Sequence, residues 1–264
     1  MKPRISFVWL ASLALAVSPT SALAAFHLME IDQVIGGVAG DTTAQAVQLQ
    51  MRNAGQNFLS GNAQLVAHDA TGANPVMLSV FPMPNPSASG TCASILLTTA
   101  SFAAKTSPPL GPNGATGANY TMTAIPSSYL PGGSLTFETP GGGTVLWRLS
   151  WGTYTGPATV APTSAGFNDD DGTAGSPATG ALPSSGVKSL AFTPACGATS
   201  TTNVSQYAQS AGAAVFTNNA AATFTVQAPP AVPGLPGASH WLLPVALGAG
   251  VLGFALVRRV RARA

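Results

Sequence analysis

Gly141-Gly142-Gly143 followed by Thr144-Val145-Leu146-Trp147-Arg148-Leu149-Ser150-Trp151 is the stretch that decides the fold class of this chain. In an extended strand, successive side chains point to opposite faces, so Val145, Trp147, Leu149 and Trp151 are predicted to share one buried face. The same rule places Arg148 on the opposite, solvent-facing side. Leu135 and Phe137 form a shorter alternating run just upstream. The two runs are expected to pair as a hairpin across the glycine-rich turn.

Working outward, Val47-Gln48-Leu49-Gln50-Met51-Arg52 alternates with period two, which predicts one buried and one wet face. Asn53-Ala54-Gly55-Gln56-Asn57 reads as a turn after it, and residues 62–68 as a further strand ending at the turn Asp69-Ala70-Thr71-Gly72. Residues 189–193, 213–217 and 222–227 are short runs flanked by Gly, Pro or Asn. Helix is suggested over residues 204–210 and 93–104 alone. Short strands punctuated by turns predict an all-β sandwich rather than an α/β fold. Long loops are expected at residues 82–86, 108–117 and 157–180, where function or disorder would sit.

The two ends of the chain carry topogenic patterns. Lys2 and Arg4 precede an apolar run over residues 5–17, and Ala22-Leu23-Ala24 supplies small residues for cleavage before Ala25. This predicts a signal peptide over residues 1–24. At the other end, residues 241–257 contain no charge and are followed by Arg258, Arg259, Arg261 and Arg263. At a rise of 1.5 Å per residue the apolar run makes about 25 Å of helix, short for a bilayer but workable with snorkelling arginines and Trp241 at the far interface. A cytoplasmic arginine cluster, residues 258–264, puts the body outside. The predicted organisation is therefore a leader (1–24), a β-sandwich ectodomain (25–227), a proline-rich spacer (228–240), a transmembrane helix (241–257) and the basic tail.

The formal net charge of +2 is misleading, because six of the ten basic residues lie in those ends. The body keeps Arg52, Lys105, Arg148 and Lys188 against all eight acidic residues, a net charge of −4. Nucleic acid, which demands clustered Lys and Arg, is excluded as an expected partner. The exported context favours a disulfide between Cys92 and Cys196 over two buried free thiols.

No cofactor and no catalytic constellation is read from the motifs. Asn168-Asp169-Asp170-Asp171-Gly172 is the one dense acidic cluster. Asp169, Asp170 and Asp171 are candidate Ca²⁺ ligands, but Gly180 stands where an EF-hand needs its bidentate Glu, so a solvated acidic turn is the preferred reading. His27, His68 and His240 are scattered without zinc spacing, and G-x-S-x-G is absent. A glycoside hydrolase would require a carboxylate pair such as Glu138 and Asp69 to converge in a cleft, about 5 to 9 Å apart.

Two resemblances follow from particular residues. Val232-Pro233-Gly234-Leu235-Pro236, the apolar span and the arginines led by Arg258 and Arg259 resemble the PEP-CTERM class of bacterial sorting signals. Gly234 stands where that class has glutamate, and Pro236 is displaced by one residue. The resemblance implies an exosortase-type transpeptidase as partner, beside signal peptidase. Met29-Glu30-Ile31-Asp32, Val47-Gln48-Leu49, Asn53-Ala54-Gly55-Gln56 with Leu59-Ser60-Gly61, and Thr202-Asn203-Val204-Ser205-Gln206-Tyr207 resemble motifs of the lamin-tail class. That likeness implies an immunoglobulin-like β-sandwich acting as a binding or structural module, with no catalytic residue. The expected function is a non-enzymatic, exported surface or extracellular-matrix protein, anchored in the cell envelope or released after tail processing. A calcium- or carbohydrate-binding adhesin and a secreted hydrolase are the alternatives.

Overall fold

The computed structural model describes residues 26–111, 114–158, 175–198 and 202–228. These all belong to one compact unit, whose boundary falls after Ala228. The strands in chain order are β1 (Met29–Ile35), β2 (Ala46–Met51), β3 (Gln64–His68), β4 (Val76–Ser79) and β5 (Ser94–Thr98). Then come β6 (Thr106–Ser107), β7 (Tyr120–Thr121), β8 (Gly132–Glu138), β9 (Val145–Gly152) and β10 (Leu190–Phe192). A single helical turn, α1 (Asn203–Gln206), precedes β11 (Tyr207–Gln209), β12 (Val215–Thr217) and β13 (Thr223–Val226). The fold is all-β.

The strands form three sheets, ordered β11-β10-β1-β2-β5-β7, β4-β3-β8-β9 and β12-β13-β6. The β8–β9 hairpin has the predicted pairing, with Leu135 opposite Leu149 and Phe137 opposite Trp147. Gly141 and Gly142 turn the chain with φ of +76° and +71°, a region costly for any residue carrying a Cβ. Thr139 closes this turn, its Oγ1 accepting from Thr144 N at 2.7 Å.

One core lies between the six- and four-stranded sheets. Met29, Ile31, Val47, Leu49, Met51, Ile95 and Leu97 from one side meet Leu65, Leu135, Phe137, Trp147, Leu149 and Trp151 from the other. A second core occupies the opposite face of the six-stranded sheet, where Ile35, Ala46 and Leu96 pack against Phe216, Phe224 and Val226 of the small sheet. The large sheet is therefore covered on both sides. This corrects the expected wet face of β2: Gln48 is buried, and its Oε1 accepts from Thr217 N at 2.6 Å while its Nε2 donates to Asp32.

The same double burial explains residues 93–104, where the sequence suggested helix. Ser94–Thr98 is a strand because Ile95 and Leu97 feed one core while Leu96 feeds the other. Apolar residues on both faces erase the period-two signal. Only the 3₁₀ segment Ala100–Lys105 is helical there. Likewise residues 204–210 hold one helical turn and then enter β11.

Val145 also departs from expectation. The β8–β9 register slips between Phe137 and Glu138, leaving an extra residue in β9. Such a bulge breaks the alternation. Leu146 joins Trp147 in the core, and Val145 moves to the outer face. Arg148 lies on that face as expected, but is only 6% exposed and not open to solvent.

Cys92 and Cys196 form a disulfide with their Cα atoms 5.9 Å apart and 104 residues between them. Closing so long a loop in the unfolded chain is worth about 4 to 5 kcal/mol. Reduction is therefore expected to lower the urea midpoint of the full-length protein markedly. An unchanged midpoint would show that the bridge contributes nothing.

Candidate functional site

The outer face of the four-stranded sheet carries a concentration of buried polar side chains. Leu65 and Ala67 of β3 and Leu135 and Phe137 of β8 face the core, so Gln64, Val66 and His68, with Ser134, Thr136 and Glu138, face outward. Arg148 and Val145 join them from β9, and Met77 from β4. Apart from Ser134 and Thr136, these residues and the Gly141–Gly143 turn line a depression of about 460 Å³.

Hydrogen bonds fix its polar groups. Gln64 Nε2 donates to Glu138 Oε1 at 2.6 Å, and Gly141 N donates to Gln64 Oε1 at 3.3 Å. Thr136 Oγ1 donates to Glu138 Oε2 at 2.8 Å. His68 Nε2 lies 3.2 Å from the same hydroxyl, which also has Val66 O at 3.3 Å. Burial, followed by the positive charge of Arg148, holds His68 below the ordinary histidine pKa, so the ring is neutral at pH 7. Arg148 Nη1 donates to Ser134 Oγ at 3.3 Å and to Tyr154 Oη at 3.1 Å. Tyr154 in turn donates to Pro157 O at 2.8 Å. Asn203 of α1 closes one flank, donating to Ser150 Oγ at 3.0 Å and Arg148 O at 3.3 Å.

A second depression of about 300 Å³ lies among Pro84, Asn85, Asn119 and Asn219. Its asparagines are occupied with backbone: Asn119 Oδ1 accepts from Leu96 N and Asn219 N, and Asn219 Nδ2 donates to Ala88 O and Ser94 O. These groups hold loops together and leave little chemistry for a ligand.

The structure separates the carboxylate pair considered for glycoside hydrolysis. Glu138 stands opposite Gln64, whereas Asp69 follows His68 at the other end of β3, about 16 Å along the strand. Asp69 organises an exposed turn, accepting from Thr71 N, Thr71 Oγ1 and Ala73 N at 2.7 to 3.0 Å. The Thr71 and Asn74 bonds pull its pKa down to about 2. Asp169, Asp170 and Asp171 lie outside the described residues, as do Val232, Pro233, Pro236, Arg258 and Arg259. Among the described residues no group of three or more His, Cys, Asp or Glu side chains could hold a metal ion, and no helix is long and apolar enough to cross a membrane.

No family model, curated protein or solved structure matches the chain. The groove's own geometry must carry the functional reading. Part of it was visible in sequence: Gln64-x-Val66-x-His68 and Ser134-x-Thr136-x-Glu138 alternate against apolar neighbours. Arg148 was missed as a site residue because periodicity alone assigns it to solvent.

Proposed function

We propose that this chain is an exported, non-enzymatic binding module of the bacterial cell envelope. Its body is read as an immunoglobulin-like β-sandwich of the lamin-tail type, led out by residues 1–24. Residues 241–264 hold it at the membrane or pass it to a sorting transpeptidase. The observation that carries the binding role is the outer groove, where Glu138 is held at both oxygens and Arg148 at one nitrogen. Groups pinned in this way present a fixed hydrogen-bonding pattern, the property a recognition surface needs.

Fractionation with N-terminal sequencing tests the envelope half of the reading. The mature chain is expected to begin at Ala25, with the body accessible to external protease. Deleting residues 241–264 is expected to release the body into the medium, because no other stretch of the mature chain is apolar enough to hold a bilayer. A full-length cytosolic product would overturn the reading. Unchanged membrane association of the truncated chain would move the anchor to a protein partner.

A further inference from the structure

Arg148 is a nearly buried cation without a counter-ion. It is 6% exposed, and among the described residues no carboxylate pairs with it; the described ion pair, Lys105 with Asp41, is elsewhere. Its neighbours Ser134 and Tyr154 are hydroxyls that hold only Nη1. Nε is buried with no hydrogen-bond partner. With Nη1 tied back and Nε buried, Nη2 carries no described hydrogen bond and is the nitrogen left to donate to an anion in the groove. A buried charge without a counter-ion is costly, and an anion seated at Nη2 relieves that cost.

Glu138, two residues along β8 from the Thr136 that stands opposite Arg148, asks for the opposite chemistry. Glu138 accepts one bond at each oxygen, from Gln64 and Thr136. A carboxylate has about four lone-pair sites, so further donors are welcome. A bare anion would satisfy Arg148 and be repelled by Glu138. A ligand with a carboxylate at one end and hydroxyls on neighbouring carbons satisfies both. Val66 and Met77 supply an apolar wall beside these polar ends, and a depression of about 460 Å³ admits a six-membered ring with its substituents.

We propose that this groove binds a sugar acid, with the carboxylate on Arg148 and the hydroxyls donating to Glu138. The assignment rests on the groove being a recognition surface. Acidic side chains of a protein partner fit less well, because they bring no hydroxyl to Glu138.

Titration calorimetry on the full-length protein in detergent, with galacturonate as probe, tests this. Galactose, which replaces the carboxylate by CH₂OH, and acetate, which lacks the hydroxyls, are each expected to bind weaker by about tenfold or more. Arg148→Gln is expected to abolish galacturonate binding. Should that variant fail to fold, Met77 provides an independent probe: it is 41% exposed on the groove wall and carries no core load. Met77→Asp is expected to weaken galacturonate binding several-fold and Met77→Lys to tighten it, with galactose indifferent to both. Polygalacturonate competing at equal uronate concentration identifies a polymer-borne residue as the source, and its failure to compete identifies a free sugar acid; either result keeps the class. Galactose binding as tightly as galacturonate overturns the sugar-acid assignment and leaves the groove as a recognition surface. No binding by any of the three probes, with both Met77 variants silent, overturns the groove reading as well.

Discussion

Trp147→Ala is expected to destabilise the body by about 3 to 5 kcal/mol, the usual range for removing a buried large aromatic side chain. The indole is fully buried between the two larger sheets. Its edge meets Phe192 at a centroid distance of 5.4 Å, and the Arg52 guanidinium lies 5.9 Å from the centre of its ring. Its Nε1–H donates to Tyr207 Oη at 2.7 Å, and Tyr207 donates onward to Ile31 O at 2.6 Å. That chain ties β9 of one sheet through β11 to β1 of the other, so truncation opens a cavity and unlinks the layers together. Trp147→Phe retains most of the apolar volume and removes the indole donor, and should cost about 1 to 2 kcal/mol beyond its small volume change. Urea denaturation of the full-length protein reads both values. A loss below about 1 kcal/mol for Trp147→Ala would mean that the two sheets do not share this core.

The second large effect concerns Glu30. It is fully buried on β1, and neither carboxyl oxygen has a hydrogen-bond partner. Burial, then the neighbouring Asp32 charge, push its pKa up to about 8, against a smaller opposing pull from Arg52. Asp32 is itself raised to about 6 by burial, with the Gln48 hydrogen bond opposing. A carboxyl whose pKa is higher folded than unfolded binds its proton more tightly in the native state. Stability is therefore present at low pH and lost as pH climbs from the unfolded value of 4.5 towards 8. The loss for Glu30 alone is on the order of 5 kcal/mol. Glu30→Gln copies the neutral form and should flatten the profile, leaving the variant more stable than the parent above about pH 8 and little changed near about pH 5. Stability that rises between those two conditions would contradict the assignment.

Both residues illustrate how far periodicity reaches. Trp147 was placed in the core by alternation with Leu149 and Trp151, and the hairpin with Leu135 and Phe137 followed from the same signal and the glycine turn. Glu30 alternates with Met29 and Ile31, which places it opposite the main core but says nothing about whether water reaches it. That depends on what else packs there. Gln48 makes the same point one strand over: it was read as wet, and the small sheet covers it. Arg148 makes it again: it lies on the outer face that alternation assigns, yet is only 6% exposed. Val145 failed differently, because one inserted residue in β9 changes which side chains share a face without leaving a mark on composition.

The candidate site was legible only in fragments. Sequence presents Glu138 as a carboxyl without its partners, and the length of β3 keeps Asp69, the mate it suggests, far away. Gln64, Thr136 and Glu138 come from β3 and β8, whose pairing across some seventy residues sets their register. A hydrogen-bond network of that range has no local signature.

What the amino-acid sequence determined by itself is the all-β class, the position of the central hairpin and the buried aromatic stripe. These follow from a two-residue repeat and from glycines that tolerate positive φ, both properties of adjacent residues. The tertiary structure alone decided that the large sheet is covered on both faces, that a bulge brings Val145 to the outer face, and that Arg148 is buried there in one groove with Glu138. Each of those depends on which distant strand lies alongside or above. Pairing is chosen by the burial of whole faces, a sum over many residues that no single stretch of chain contains.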